Sequence, residues 1–148
     1  MNPERFFNRL LIPVDGSASS LKAARFGLRL AARDDSEVVA VHVVDEESVA
    51  DLARYADRPV DEILERMRQN GEDYLEQLRE IARRQGVRIF GEVRIGIPHR
   101  ALLKLATEVG ADLIVMGTVG RKGPRRVLVG SVTERVIAQS PVPVLVVK

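Results

Sequence analysis

Apolar residues in this chain follow two alternating patterns. Short runs rich in Val, Ile and Leu, each bounded by polar or turn-forming residues, read as buried strands over Arg9–Val14, Glu37–Val44, Val87–Ile95, Asp112–Met116 and Val142–Val147. Between them lie longer segments in which apolar positions recur every three or four residues. Ser17–Ala32 is such a helix, with Leu21, Ala24, Phe26, Leu28 and Ala31 on its expected buried side. Asp61–Gln85 is a longer, heavily charged one, with Ile63, Met67, Tyr74, Leu78 and Ile81 recurring at helical intervals and Gly86 placed to cap its end. Arg100–Val109 follows Pro98, in a position where a first-turn proline is tolerated, and is stopped by Gly110. Ser131–Gln139 is the last helix, and Asp45–Val60 reads as a polar connection.

Strands that are apolar throughout and alternate with helices predict a parallel sheet covered on both faces. The expected fold class is α/β, a single doubly wound domain over residues 1–148 with a five-stranded parallel sheet. No internal repeat, low-complexity tract or linker interrupts it. Ligands of such sheets bind beyond the carboxyl ends of the strands, where the strand order reverses. The first and fourth strands run out at Asp15 and Gly117, so a single crevice faces both if the two strands are neighbours.

Composition narrows the function. A formal net charge of +2 gives no global field for nucleic acid, and no aromatic residue interleaves with the local basic cluster at 121–126. No apolar run approaches the ~20 residues of a membrane helix, so a cytoplasmic location without membrane contact is expected. Cysteine is absent, which excludes disulfide and thiol chemistry.

The informative chemistry lies in Met116–Thr133, MGTVGRKGPRRVLVGSVT. A strand, a basic loop containing Gly117, Gly120 and Gly123, and a helix start follow one another here. Backbone N–H groups approach phosphate oxygens closely where no Cβ intervenes, and the helix end adds partial positive charge. Two familiar phosphate motifs are absent. Gly91 and Gly96 have P-loop spacing but are followed by Ile97, and the first strand leads into Asp15-Gly16-Ser17 rather than a dinucleotide fingerprint. What is present is G-x2-G-x9-G-S through Gly117, Gly120, Gly130 and Ser131. The same residues also admit a reading without ligand, in which the glycines make turns and Ser131 with Glu134 forms a capping box. Elsewhere, Asp15 fits a turn or helix cap, His42 a packed or surface position, and His99 the surface of a first turn. Asp45-Glu46-Glu47 is either a metal site or a solvated acidic connection.

The glycine pattern resembles the ATP-binding signature of the universal stress protein family. Other blocks resemble that family in order and at similar spacing: Leu10–Ser17, Val41–Asp45, Gly96-Ile97-Pro98, Ala111–Gly117, Gly130–Thr133 and Pro143–Val147. The resemblance implies strand order 3-2-1-4-5 and a bound ATP. It sets Asp15 against the nucleoside, Val43 against the adenine edge, and Pro13, Val14 and Met116 around the base. It sets Gly117, Gly120, Gly130 and Ser131 on the phosphates, with Val132 and Thr133 as further N–H or hydroxyl donors. Magnesium would ride on the phosphates. A homodimer through the C-terminal strand and an unidentified protein partner are also implied. The expected function is an ATP-dependent stress-response or regulatory protein rather than a dedicated enzyme. Slow ATP hydrolysis, cyclic AMP binding or a nucleotide-independent interaction module are the alternatives.

Overall fold

The computed structural model describes residues 4–119 and 129–148. Gly120, Gly123 and Pro124, with the cationic Arg121, Lys122, Arg125 and Arg126, lie outside the described residues. The element order is β1 (Arg9–Pro13), α1 (Ala18–Asp34), β2 (Glu37–Asp45), α2 (Glu46–Ala56), α3 (Val60–Gln85), β3 (Ile89–Gly96), α4 (Pro98–Val109), β4 (Leu113–Gly117), α5 (Ser131–Gln139) and β5 (Val144–Val147). The strands form one five-stranded sheet in the order β3-β2-β1-β4-β5. Every pairing is parallel, with β1 against β2 from Arg9↔Glu37 to Pro13↔Val41 and against β4 at Leu10↔Leu113 and Leu11↔Ile114. The strand order is the one the family resemblance implies.

Side-chain alternation along the strands builds a core on each face of the sheet. Leu10, Ile12, Val38, Ala40, Leu113 and Val115 pack under α1 and α3, against Ala24, Leu28, Leu75, Leu78 and Ala82. Leu11, Val39, Val41, Ile114 and Met116 face the other way, against Leu102, Leu105, Ala106 and Val136 of α4 and α5. Each central strand is therefore apolar along its buried middle, Leu10–Ile12 in β1, Val38–Val41 in β2 and Leu113–Met116 in β4, the pattern from which the sheet was expected. A third cluster of Val44, Val49, Ala53 and Ile63 joins α2 to α3 at the carboxyl end of β2.

Several expectations need correction. Asp45–Val60 is not a polar connection throughout, because Glu46–Ala56 is helical. The Asp45 side chain accepts the Glu47 N–H, Glu46 and Glu47 sit in the favourable first turn, and only Val49 and Ala53 are buried. Phe26 does not face the core; it is 46% exposed, and the small Ala23 and Gly27 lie against the sheet instead. A Cβ on Gly27 would stand 2.6 Å from Ile12 Cδ1, so α1 lies too close to the sheet there for a larger residue. α4 begins at Pro98 rather than Arg100, and α5 takes Gly130 as N-cap with no side-chain cap, so Ser131 and Glu134 form no capping box. β3 and β5 start two residues later than the apolar runs suggest.

The amino ends of the strands are tied by charge. Asp112 accepts the Asn8 and Arg9 N–H groups at 2.8 and 3.0 Å. Glu37 bridges Arg9 of β1 at 2.7 Å and Arg88, just before β3, at 3.2 Å. The Arg9 hydrogen bond, opposed by burial and helped by the Arg9 and Arg88 charges, holds the Glu37 carboxyl below its usual range.

Candidate functional site

The site is built at the opposite, carboxyl end of the sheet. β1 stops at Pro13, and the Val14 N–H still reaches Val41 O at 2.9 Å. The chain then turns through Asp15 and Gly16. The Asp15 carboxylate accepts the Ser17 N–H at 2.9 Å, its own N–H donates to Ser20 Oγ at 3.2 Å, and Ser17 caps α1 by accepting the Ser20 N–H at 3.1 Å. Gly16 has φ +81, a left-handed conformation that glycine supplies at least cost. Asp15 is thus a turn residue, with its carboxylate fixed at the strand end.

The end of β4 is bound to the same helix. Ser19 Oγ of α1 accepts the Thr118 N–H at 3.0 Å, and the Thr133 hydroxyl of α5 donates to Gly117 O at 3.0 Å. The Gly130 N–H donates to Thr118 O at 2.6 Å, closing the base of the segment between them. Because its N-cap is Gly130, α5 has no side-chain cap, and its N-cap residue offers the first-turn N–H groups of Ser131, Val132 and Thr133 no side-chain acceptor. That is the electrostatic setting in which a helix start accepts an anion. The Thr133 hydroxyl proton is already engaged on Gly117, so what Thr133 offers an anion is its N–H.

Between these ends opens a cavity of about 540 Å³. Pro13, Val14 and Asp15 line it from β1, Val43 from β2, and Met116 and Gly117 from β4. Gly130, Ser131, Val132 and Thr133 line it from the start of α5. All the residues nominated from sequence are therefore brought together, except Gly120, which lies outside the described residues. Alternation along β2 gives Val43 its place. Val41 turns its carbonyl to Val14, so Val43, two residues on, points its N–H and C=O to the same side, where β1 has already ended. A backbone donor and acceptor side by side suit the edge of a heterocyclic base.

Sequence reasoning missed a whole wall. His42, Asp45, Ser48, Met67, Asn70 and Tyr74 also line the cavity, the last three from α3. The signal for that wall was Gly71, a glycine in the middle of an amphipathic helix, which marks a close approach. His42 is partly buried, and its Nδ1 lies 2.7 Å from Val14 O; a carbonyl only accepts, so Nδ1 carries the proton. Asp45 holds the start of α2, accepting the Glu47 N–H and the Ser48 hydroxyl at 3.1 and 3.0 Å. Among the described residues, no group of three or more acidic or histidine side chains is placed to hold a metal ion. His99 stands in the first turn of α4, where burial and then the Arg135 and Arg100 charges push its pKa below the usual value. No helix among the described residues is long and apolar enough to cross a membrane.

A sheet ordered β3-β2-β1-β4-β5, with its crevice over the ends of β1 and β4, defines a doubly wound α/β protein whose ligand site lies where the strand order reverses. The chain belongs to the universal stress protein family, whose model matches residues 6–148. Universal stress protein MJ0531 of Methanocaldococcus jannaschii is 40% identical over 147 residues, covering 99% of this chain and 85% of that protein. Among solved structures, MJ0577 superposes with a TM-score of 0.83 at 29% identity, covering 95% of each chain. UspA from Lactobacillus plantarum superposes at 0.85 with 26% identity, covering 97% of this chain and 99% of its own. A universal stress protein solved in complex with cAMP is 27% identical, with a TM-score of 0.64 and coverage of 95% and 96%.

Proposed function

We propose that this protein is an ATP-binding stress-response regulator of the cytoplasm, with the adenine at the ends of β1 and β2 and the phosphates at the start of α5. The observation that carries the reading is convergence. Residues nominated from four separate stretches of sequence line one cavity, which ends on a helix start that lacks a side-chain cap. The universal stress protein complex with cAMP, a protein 27% identical to this one, supports an adenine nucleotide as the ligand class. Helix-start attraction contributes only about 0.3–2 kcal/mol, so the N–H groups of Ser131, Val132 and Thr133 act together. Asp15 and Glu134 also line the cavity, which favours phosphates already neutralised by magnesium over bare ones. Magnesium would be carried by the phosphates rather than by a protein cage.

ATP is read as a ligand rather than a substrate. Asp15 accepts the Ser17 N–H and His42 donates to the Val14 carbonyl, so each has a structural role in holding the turn. The edge strand β5 offers its free side to a second copy, giving a homodimer, and sedimentation of a monomer at micromolar concentration would count against that assembly.

Gly130→Val tests the phosphate assignment. Gly130 has φ −70 and ψ 162, which valine adopts without strain, so the substitution acts through bulk at the helix start. ATP affinity is expected to fall at least about tenfold, the effect of losing one or two charge-assisted hydrogen bonds, with the thermal midpoint nearly kept. Unchanged affinity in a folded variant would remove the phosphates from α5.

A further inference from the structure

Two glycines allow close approaches around α3, Gly71 to β2 and β3 and Gly16, just after β1, to the Tyr74 ring. At Gly71 a Cβ would stand 2.5 Å from Cδ2 of His42 and 3.1 Å from Cγ2 of Val93. At Gly16 a Cβ would stand 2.4 Å from Tyr74 Cζ and 2.7 Å from its hydroxyl oxygen. No side chain fits at either point without moving the helix or the ring. Between them the His42 and Tyr74 rings meet edge to face, centroids 5.3 Å apart and planes at 73°. This is a favourable geometry for aromatic quadrupoles. His42 in turn donates from Nδ1 to the Val14 carbonyl at 2.7 Å. The contacts run without a break from Val14 through the imidazole and the phenol ring to Gly16. Asp15 is the residue between the two ends of that run. Met67 and Asn70 line the cavity from the same face of α3, at the spacing that brings helix residues onto one side.

We propose that Tyr74 is a positioning residue for the nucleoside end of the site. Held by His42 and seated on Gly16, it fixes the Val14–Gly16 turn and so aims the Asp15 carboxylate at the ribose hydroxyls. The inference rests on the ATP reading and adds to it the residue that makes Asp15 selective. A carboxylate accepts several hydrogen bonds at once, so the Ser17 N–H and a ribose hydroxyl can share Asp15. Such sharing is productive only if the turn does not shift, because small misplacements of a binding group cost disproportionately in affinity. A tyrosine that merely filled space would support adenine, ribose and phosphate binding alike. One that orients Asp15 supports ribose recognition specifically.

The test compares ATP with 2′,3′-dideoxyATP, both with magnesium, by calorimetric titration of wild type, Tyr74→Ala and Tyr74→Phe. Wild type is expected to prefer ATP by at least about tenfold, the effect of one hydrogen bond to a charged group. In Tyr74→Ala that preference is expected to fall below about threefold, and in Tyr74→Phe, which keeps the ring on Gly16 and His42, to be largely restored. Tyr74→Leu replaces the alanine variant if the latter does not fold, since it keeps volume without a flat ring. A preference unchanged in the alanine or leucine variant would overturn the positioning role while leaving the ATP reading intact. No ribose preference in wild type would overturn it too. Absence of any ATP binding by wild type would instead bring down the nucleotide reading itself.

Discussion

Gly117 sits at the end of β4 for a reason that its sequence neighbourhood does not show. A Cβ there would lie 2.3 Å from Ser19 Oγ and 2.7 Å from Ser19 O, so the helix backbone itself leaves no room for one. The motif nominates the residue for phosphate, whereas the close packing of β4 on the first turn of α1 is enough to require glycine. Gly117→Ala is therefore expected to destabilise the fold by about 1–3 kcal/mol in urea denaturation, since a backbone obstacle cannot rotate away. An unchanged midpoint would show that α1 yields there at no cost. Thr133 shows the same separation of roles. Its hydroxyl was a candidate phosphate donor, yet it donates to Gly117 O. Residue types reveal what chemistry is available, but not which partner takes it first when that partner lies far away in the chain.

The elements differ in how plainly the sequence shows them. The strands were legible because each central one is buried on both faces, leaving apolar runs with few polar interruptions. α2 was not, because only Val49 and Ala53 are buried and its cap, Asp45, reads as part of an acidic tract. The β1 and β4 ends of the site were visible through their turn and glycine motifs. The α3 wall was not, since Met67, Asn70 and Tyr74 reach the cavity through helix geometry alone. At the far end of the sheet, Glu37 links three successive strand ends through Arg9 and Arg88. Its carboxyl titrates below the unfolded value of 4.5, so the folded state binds fewer protons there than the unfolded one. Its contribution is present above that value and is lost as pH falls through the folded pKa. Glu37→Gln is expected to lower stability at pH 7 by about 0.5–1 kcal/mol and to flatten the loss of stability below pH ~4.5. Identical acid-unfolding curves for variant and wild type would contradict this role.

At the scale of the molecule, structure and ligand site divide the sheet between them. Charged links gather at the amino ends of the strands, and the cavity opens at the carboxyl ends, where β1 and β4 part. The two faces of core hold the central strands rigid, so residues from β1, β2, β4 and α5 keep a common geometry without meeting in sequence. Family membership accounts for the arrangement, and the cavity lining for the proposed ligand. The most direct test of that ligand is acid extraction of freshly purified protein with mass spectrometric identification of what is released, followed by titration of the stripped protein with ATP and magnesium. Recovery of an adenine nucleotide, or ATP binding with Kd in the micromolar range or below, about −8 kcal/mol, is the expected result. No released nucleotide and no binding up to millimolar ATP would contradict the assignment and leave the glycine signature a structural feature of the turn.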